Sequence, residues 1–177
     1  MRRRPASGAK FVSKGLVILY EDKDILVVDK PEGLLSVSTE REKSRTAHSL
    51  LTDYIRKGCG RSQKRLFVVH RLDRDTSGTL IFAKSEEAMN RLKAQWKQTE
   101  KKYLAVVHGK CEQSTGIITT YLAEDEDYNV YSTPDSTKGR LSKTVYTVLR
   151  ETKGVSLLEV VLLTGRKNQI RVHLAGI

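Results

Sequence analysis

The chain has few of the residues that mark secreted or membrane-spanning proteins. Among its 177 residues there are two cysteines, Cys59 and Cys111, with neither a CxxC pattern nor the cysteine–histidine spacing of a zinc site. We therefore expect reduced thiols and a cytoplasmic protein rather than a disulfide framework. No apolar run approaches the roughly 20 residues that span a bilayer, and the basic N-terminus lacks the apolar segment of a secretory signal.

Motifs for nucleotide cofactors and for metals are also absent from the sequence. It contains no GxxxxGK[ST] loop, no GxGxxG after a strand, no HExxH and no GxSxG. The four histidines are scattered without the spacing of metal ligands. We therefore expect no metal and no small-molecule cofactor.

Positive charge is what the chain has in abundance. Its 32 lysines and arginines face 21 acidic residues, which gives a formal net charge of +11. Residues 56–74 contain seven basic side chains and a single acid, Asp73. Clustered positive charge suits a phosphate backbone, which is bound through counterion release. A generally basic surface or an anionic membrane would fit the charge too, but no amphipathic helix of the membrane-binding type is evident, which favours nucleic acid.

Local patterns predict one α+β domain over residues 16–177, after a flexible basic arm at residues 1–15. Capping residues Thr46 and Ser85 predict helices that run to about Arg56 and Gln98, and a third helix is expected from Gln169. A mobile loop is expected over residues 130–140. The short turns between strands indicate a mixed, mostly antiparallel sheet with flanking helices. The predicted strands are residues 16–20, 25–29, 66–69, 79–83, 103–107, 117–122, 141–150 and 156–163.

The segment His70–Gly78, with the sequence HRLDRDTSG, joins two of these strands and concentrates charge. Catalytic groups are common on loops that a rigid scaffold positions, and guanidinium groups keep a neighbouring carboxylate ionised. The same composition also suits a solvated turn whose aspartate and serine side chains cap backbone amides. Taken alone, the loop leaves both interpretations open.

Four segments together resemble the RluA-type branch of the RNA pseudouridine synthases. Residues 70–78 are similar to its HRLDxxTSG motif, and residues 29–34 (DKPEGL) to its DKPxGL motif. The segment around Tyr103 (KKYLA) resembles KxYxA, and residues 165–173 (GRKNQIRVH) resemble GRxHQIRxH. The four occur in the order that the family shows.

The resemblance implies an isomerase that converts uridine to pseudouridine in structured RNA, ribosomal or transfer, without a cofactor. It assigns the catalytic carboxylate to Asp73, the arginine that pairs with it to Arg166, and the aromatic against the target base to Tyr103. Asp75 falls on a variable motif position and is expected to be a turn or surface carboxylate. The predicted RNA contacts are His70, Arg71, Arg74, Lys102 and Arg171.

Two features depart from the family's pattern. Asn168 stands where the motif has histidine, and we expect a positional role for it. The family's domain continues past the last motif, so the resemblance predicts a C-terminally truncated pseudouridine synthase fold, here expected as a monomer. The alternative function is a non-catalytic RNA-binding module derived from a truncated synthase. A glycosidase would need a second carboxylate across the scissile bond, and only Asp75 is near in sequence.

Overall fold

The computed structural model describes residues 10–39 and 45–177, and the chain divides into two compact units, Met1–Trp96 and Lys97–Ile177. Each unit contains its own five-stranded sheet. A single domain over residues 16–177 stays a prediction. All strand neighbours in both sheets are antiparallel. Within the described ranges, no helix is long and apolar enough to cross a membrane.

The first unit contains β1 (Lys10–Phe11), β2 (Val17–Glu21), β3 (Ile25–Lys30), α1 (Ala47–Arg56), β4 (Phe67–Val68), β5 (Gly78–Ala83) and α2 (Glu86–Gln95). Its five strands form one sheet of order β1-β2-β3-β5-β4. Residues 1–9 of the predicted arm lie outside the described residues, and strand pairing begins at Lys10, inside the segment predicted as an arm.

Both helices of this unit begin where their capping residues predicted. The Thr46 hydroxyl accepts a hydrogen bond from the Ser49 amide, and the Ser49 hydroxyl accepts one from the Thr46 amide, which completes a capping box. The Ser85 hydroxyl accepts from the Ala88 amide in the same way at α2. Helix α1 ends at Arg56 as predicted, whereas α2 ends at Gln95, three residues earlier than expected.

The second unit contains β6 (Lys102–His108), β7 (Thr115–Glu124), β8 (Val130–Thr133), β9 (Arg140–Thr152), β10 (Val155–Leu162) and one short helix, α3 (Gln169–Leu174). Its strand order is β6-β10-β9-β7-β8. The prediction of a loop over residues 130–140 was wrong for its first four residues, which form β8, and for Arg140, which begins β9. Valine, tyrosine and threonine suit an edge strand, and the turn residues begin only at Pro134.

Strand β9 shows the alternation that its sequence predicted. Thr144 and Tyr146 are buried, while Leu149 on the opposite face is 52% exposed. Tyr146 forms a core cluster with Leu158 and Val160 of β10. Side chains of α3 pack against this cluster, so the helix covers the buried face of the second sheet.

Candidate active site

The loop that carries Asp73 connects β4 to β5 at the end of the first sheet where Lys30 pairs with Gly78. Asp73 is exposed at this end, and its carbonyl accepts a hydrogen bond from the Thr76 amide at 3.2 Å, which closes a turn. Gly78 ends the loop with φ +128, a conformation that residues with a Cβ rarely adopt. The backbone therefore requires glycine where the last motif position has it.

A buried serine fixes the residue that precedes Asp73. Ser36 is 3% exposed, and its hydroxyl donates to the Leu72 carbonyl at 2.6 Å and accepts from the Leu72 amide at 3.0 Å. One side chain thus satisfies both backbone polar groups of Leu72. Leu72 is also buried, at 9% exposed. The backbone just before Asp73 is therefore fixed both by these two hydrogen bonds and by packing.

A buried lysine fixes the residue that follows Asp73. Lys30 is fully buried, and its ammonium donates to the carbonyls of Pro31 (2.8 Å), Leu34 (2.7 Å) and Arg74 (3.1 Å). These bonds use all three of its donors. Burial lowers the pKa of Lys30, while the charges of Asp75 and Asp73 act to raise it.

His70 supports the loop from inside the first unit. Its Nε2 accepts a hydrogen bond from the Ile81 amide at 3.1 Å, and its ring lies 4.5 Å from the Trp96 ring. Burial lowers the pKa of His70 to about 4, so the ring is neutral at pH 7 with its proton on Nδ1. Its RNA contact stays a prediction, but a neutral ring offers no positive charge to a phosphate.

The His70 pKa predicts how stability depends on pH. Because the folded pKa lies below the unfolded value of 6.5, the unfolded chain binds this proton first, and stability falls as pH drops from about 6.5 towards 4. We expect a loss of up to about 3 kcal/mol from this group. Urea unfolding between pH 4 and 7 should show a flatter profile for His70→Gln than for the parent.

The matched control is His108→Gln, which removes an exposed histidine at the end of β6. Its pH profile should follow that of the parent protein. Burial lowers the pKa of His173 as well, but His173 is present in all three proteins and cancels from the comparison. Parallel profiles for the parent and His70→Gln would contradict the assignment.

The other charged side chains of the loop point to solvent. Arg71, Arg74 and Asp75 are all exposed. Two arginines on the surface beside Asp73 provide positive charge where a phosphate backbone could approach. Within the described ranges, no group of three histidine, cysteine or acidic side chains is placed to hold a metal ion.

Tyr103 and Arg166, the other predicted catalytic residues, belong to the second unit. Tyr103 lies on β6, half-buried against the Tyr146 cluster, and Arg166 is exposed between β10 and α3. Arg171 is exposed on α3. Lys102 is exposed but pairs with Glu100 at 2.9 Å and approaches Glu159 at 3.9 Å, and these contacts raise its pKa.

Gln169 holds the turn that carries Arg166. It is 2% exposed, and its Oε1 accepts from the Arg166 amide at 3.0 Å and the Thr164 hydroxyl at 2.9 Å. Its Nε2 donates to the Lys143 carbonyl at 3.0 Å and the Thr144 hydroxyl at 2.8 Å. The side chain therefore ties this turn to β9. Asn168 precedes it at φ 53, a left-handed conformation in which asparagine is enriched.

Removing the Gln169 amide is expected to destabilise the protein. Gln169→Leu leaves the Arg166 amide and the Lys143 carbonyl without this partner in a buried setting, which should cost about 2 kcal/mol of unfolding free energy. Urea denaturation measures this change. Arg171→Gln alters an exposed residue of the same helix and should leave stability unchanged. Equal stability of both variants would contradict the role of Gln169.

A family model described as RNA pseudouridylate synthase matches residues 24–176. The chain belongs to this family.

Curated relatives and solved structures of the same family cover most of the chain. It is 37% identical to an uncharacterized RNA pseudouridine synthase of Mycoplasma pneumoniae, over 90% of this chain and 51% of the relative. It is 32% identical to ribosomal large subunit pseudouridine synthase D of Borreliella burgdorferi, over 90% of this chain and 50% of the relative. Among solved structures, human RNA pseudouridylate synthase domain containing 4 matches with a TM-score of 0.74 and 26% identity. The match covers 90% of this chain and 63% of the human chain. The chain thus spans about half the length of these curated relatives.

Family membership confirms the resemblance drawn from the four motifs and the predicted pseudouridine synthase fold of α+β class. The motif resemblance did not assign roles to Ser36, Lys30 or Gln169, although each supports a predicted site residue. Lys30 and Gln169 lie inside two of the four matched motifs, and this position was a signal that they belong to the site. Ser36 lies outside them, and nothing in its local sequence marked it.

Proposed function

We propose that this chain carries the catalytic machinery of an RNA pseudouridine synthase, with Asp73 as the catalytic carboxylate. The observation that carries the proposal is the placement of an exposed carboxylate on a loop fixed on both sides. Leu72 is held by Ser36, and Arg74 is held by Lys30. In the matched motif the aspartate of HRLD is the catalytic carboxylate, and these two anchors hold the backbone on either side of Asp73 in place.

The proposed reaction isomerises uridine within RNA. The N1–C1′ bond breaks, the base rotates, a C5–C1′ bond forms, and the proton lost from C5 is balanced by one gained at N1. An ionised carboxylate serves this chemistry either as a nucleophile or as the base that removes the C2′ proton.

The remaining site residues take their proposed roles from the matched motifs. Arg166 would pair with Asp73 and keep it charged once RNA excludes water. The enzyme must extrude the uridine from its stack, and Tyr103 would lie against the flipped base, while Arg71 would contact the vacated stack. Arg74, Lys102 and Arg171 would contact phosphates, and Lys102 would exchange its pairing with Glu100 for RNA.

The proposed substrate is ribosomal or transfer RNA, and we place the protein in the cytoplasm as a monomer. One relative is named for the ribosomal large subunit, and a Vibrio cholerae relative, 33% identical over 90% of this chain, is named a dual-specificity RNA pseudouridine synthase. The excess of positive charge suits either RNA.

The test is incubation of the protein with unmodified ribosomal and transfer RNA that carries tritium at C5 of uridine. Because isomerisation removes the C5 hydrogen, a synthase releases tritium to water and leaves pseudouridine in the RNA. The expected result is release in proportion to pseudouridine formed. Salt-sensitive RNA binding with no release would instead establish the non-catalytic RNA-binding module.

A further inference from the structure

A basic cavity lies at the end of the first sheet that is opposite to the Asp73 loop. Lys30 of β3 pairs with Gly78 at the loop end, whereas Ile25 pairs with Ala83 at the cavity end. Six residues of strand separate the two ends by roughly 17 Å. The cavity has a volume of about 430 Å³, within the usual range of ligand sites.

Positive charge dominates the lining of this cavity. Glu21 is the one acidic residue among the described residues that line it. Hydrogen bonds from Lys84 at 2.7 Å and from the Tyr54 hydroxyl at 2.9 Å lower the pKa of Glu21 against the opposing effect of burial. The carboxylate is therefore ionised and engaged by Lys84. The basic lining residues are Lys23, Lys57, Lys64, Arg65 and Lys84.

Within the described part of the chain, the other four cations have no such carboxylate partner. Over residues 10–39 and 45–177, no carboxylate lies within 4.0 Å of the side-chain nitrogens of Lys23, Lys57, Lys64 or Arg65. Like charges around one cavity repel each other, which costs stability in the free protein. An anion that enters the cavity would relieve this repulsion.

The cavity walls are built on fixed backbone. The Arg56 Nε donates to the Lys64 carbonyl at 2.7 Å, which ties the segment before β4 to the end of α1. Lys57 caps the C-terminus of that helix, with its amide bonded to the Tyr54 carbonyl at 3.0 Å. The Lys84 amide bonds to the Asp24 carbonyl at 2.8 Å. The cations are therefore presented from anchored positions rather than from a free tail.

We propose that this cavity binds backbone phosphates of the RNA substrate, several nucleotides away from the target uridine. The inference rests on the proposed function and extends it to a second contact region. A strand of RNA that passes the Asp73 loop meets Arg71 and Arg74 there, and the cavity offers cations at the far end of the same sheet. Tyr54 and Ile55 add apolar surface against which a base can pack. Several cations along one path suit a polyanion better than a single small anion.

The test compares two triple variants of the full chain that lose the same charge. The cavity variant combines Lys57→Asn, Lys64→Gln and Arg65→Gln, with asparagine chosen because position 57 has φ 51. The control combines Lys110→Gln, Arg150→Gln and Lys153→Gln, all exposed in the second unit. Binding of a 30-nucleotide oligouridylate is measured over a series of KCl concentrations, together with tritium release from C5-labelled ribosomal RNA.

We expect the cavity variant to bind the oligonucleotide at least about tenfold more weakly than the control, with a salt dependence shallower by about 2 in log–log slope. In the tritium assay its KM should rise while kcat is retained. If the two variants bind RNA equally while the parent protein forms pseudouridine, the cavity proposal is overturned and the proposed function stands.

The reverse pattern is distinguishable. Weakened RNA binding by the cavity variant, with no tritium release by the parent, supports the cavity as an RNA site and overturns the catalytic function. A parent that binds no RNA overturns both. In a last experiment, the parent protein is titrated with inorganic phosphate alone. If it binds phosphate tightly while the two variants bind RNA equally, the cavity is a small-anion site and the RNA proposal is overturned.

Discussion

Asp73→Asn is expected to abolish tritium release from C5-labelled RNA while leaving RNA binding and stability close to those of the parent. The substitution keeps the size of the side chain but removes the charge that acts as nucleophile or base, so the rate should fall by at least about 10³-fold. Asp73 is exposed, and the hydrogen bonds from Ser36 and Lys30 that fix the loop go to the backbone of Leu72 and Arg74. The unfolding free energy should therefore change by less than about 0.5 kcal/mol.

The matched control is Asp75→Asn, two residues along the same loop. Asp75 is exposed as well, and the charge change is identical. Because Asp75 occupies a variable position of the motif, we expect its variant to keep turnover within several-fold of the parent. Full activity of Asp73→Asn would remove Asp73 from the chemistry, and equal losses in both variants would indicate a general effect of loop charge.

The parts of the fold that the sequence predicted well are those governed by local contacts. The Thr46 hydroxyl accepts a hydrogen bond from the amide of Ser49, three residues away, and Ser85 does the same with Ala88. The start of each helix is therefore determined by residues within one helical turn. The alternation along β9 is local in the same sense, since every second residue faces the core. The position of the Asp73 loop between two strands followed from the same kind of pattern.

The support beneath the Asp73 loop depends on contacts that no local pattern contains. Ser36 meets Leu72 across 36 residues of chain, and Lys30 meets Arg74 across 44. Lysine is rarely buried without a carboxylate partner, so the residue type alone predicts a surface position for Lys30. Only the folded chain shows that three backbone carbonyls replace the water that Lys30 gives up.

The basic run at residues 56–74 shows the same difference between sequence and space. As a sequence it is one cluster, but the structure places Lys57, Lys64 and Arg65 at the cavity and Arg71 and Arg74 on the loop at the other end of the sheet. Strand β4 lies between the two groups. Charge counting found the cluster and suggested its ligand class, whereas the separation into two regions required the fold.

Lys30→Met is expected to impair both stability and turnover. Methionine is similar in length, but it cannot donate to the three carbonyls that the ammonium satisfies, and these lie in a buried setting. We expect a loss of about 3 kcal/mol in unfolding free energy and a fall of at least about 100-fold in the rate of tritium release. Urea denaturation and the tritium assay measure the two effects.

Ser36→Ala tests whether turnover depends on the hydrogen bonds beneath the Asp73 loop, apart from the positive charge of Lys30. It removes both bonds to Leu72 without changing any charge, so kcat should fall while the pH profile of the rate keeps its shape. Lys30→Met removes the positive charge together with the three hydrogen bonds, so Ser36→Ala is the cleaner test of backbone support. A Ser36→Ala variant with the kcat of the parent would show that turnover does not depend on the bonds to Leu72.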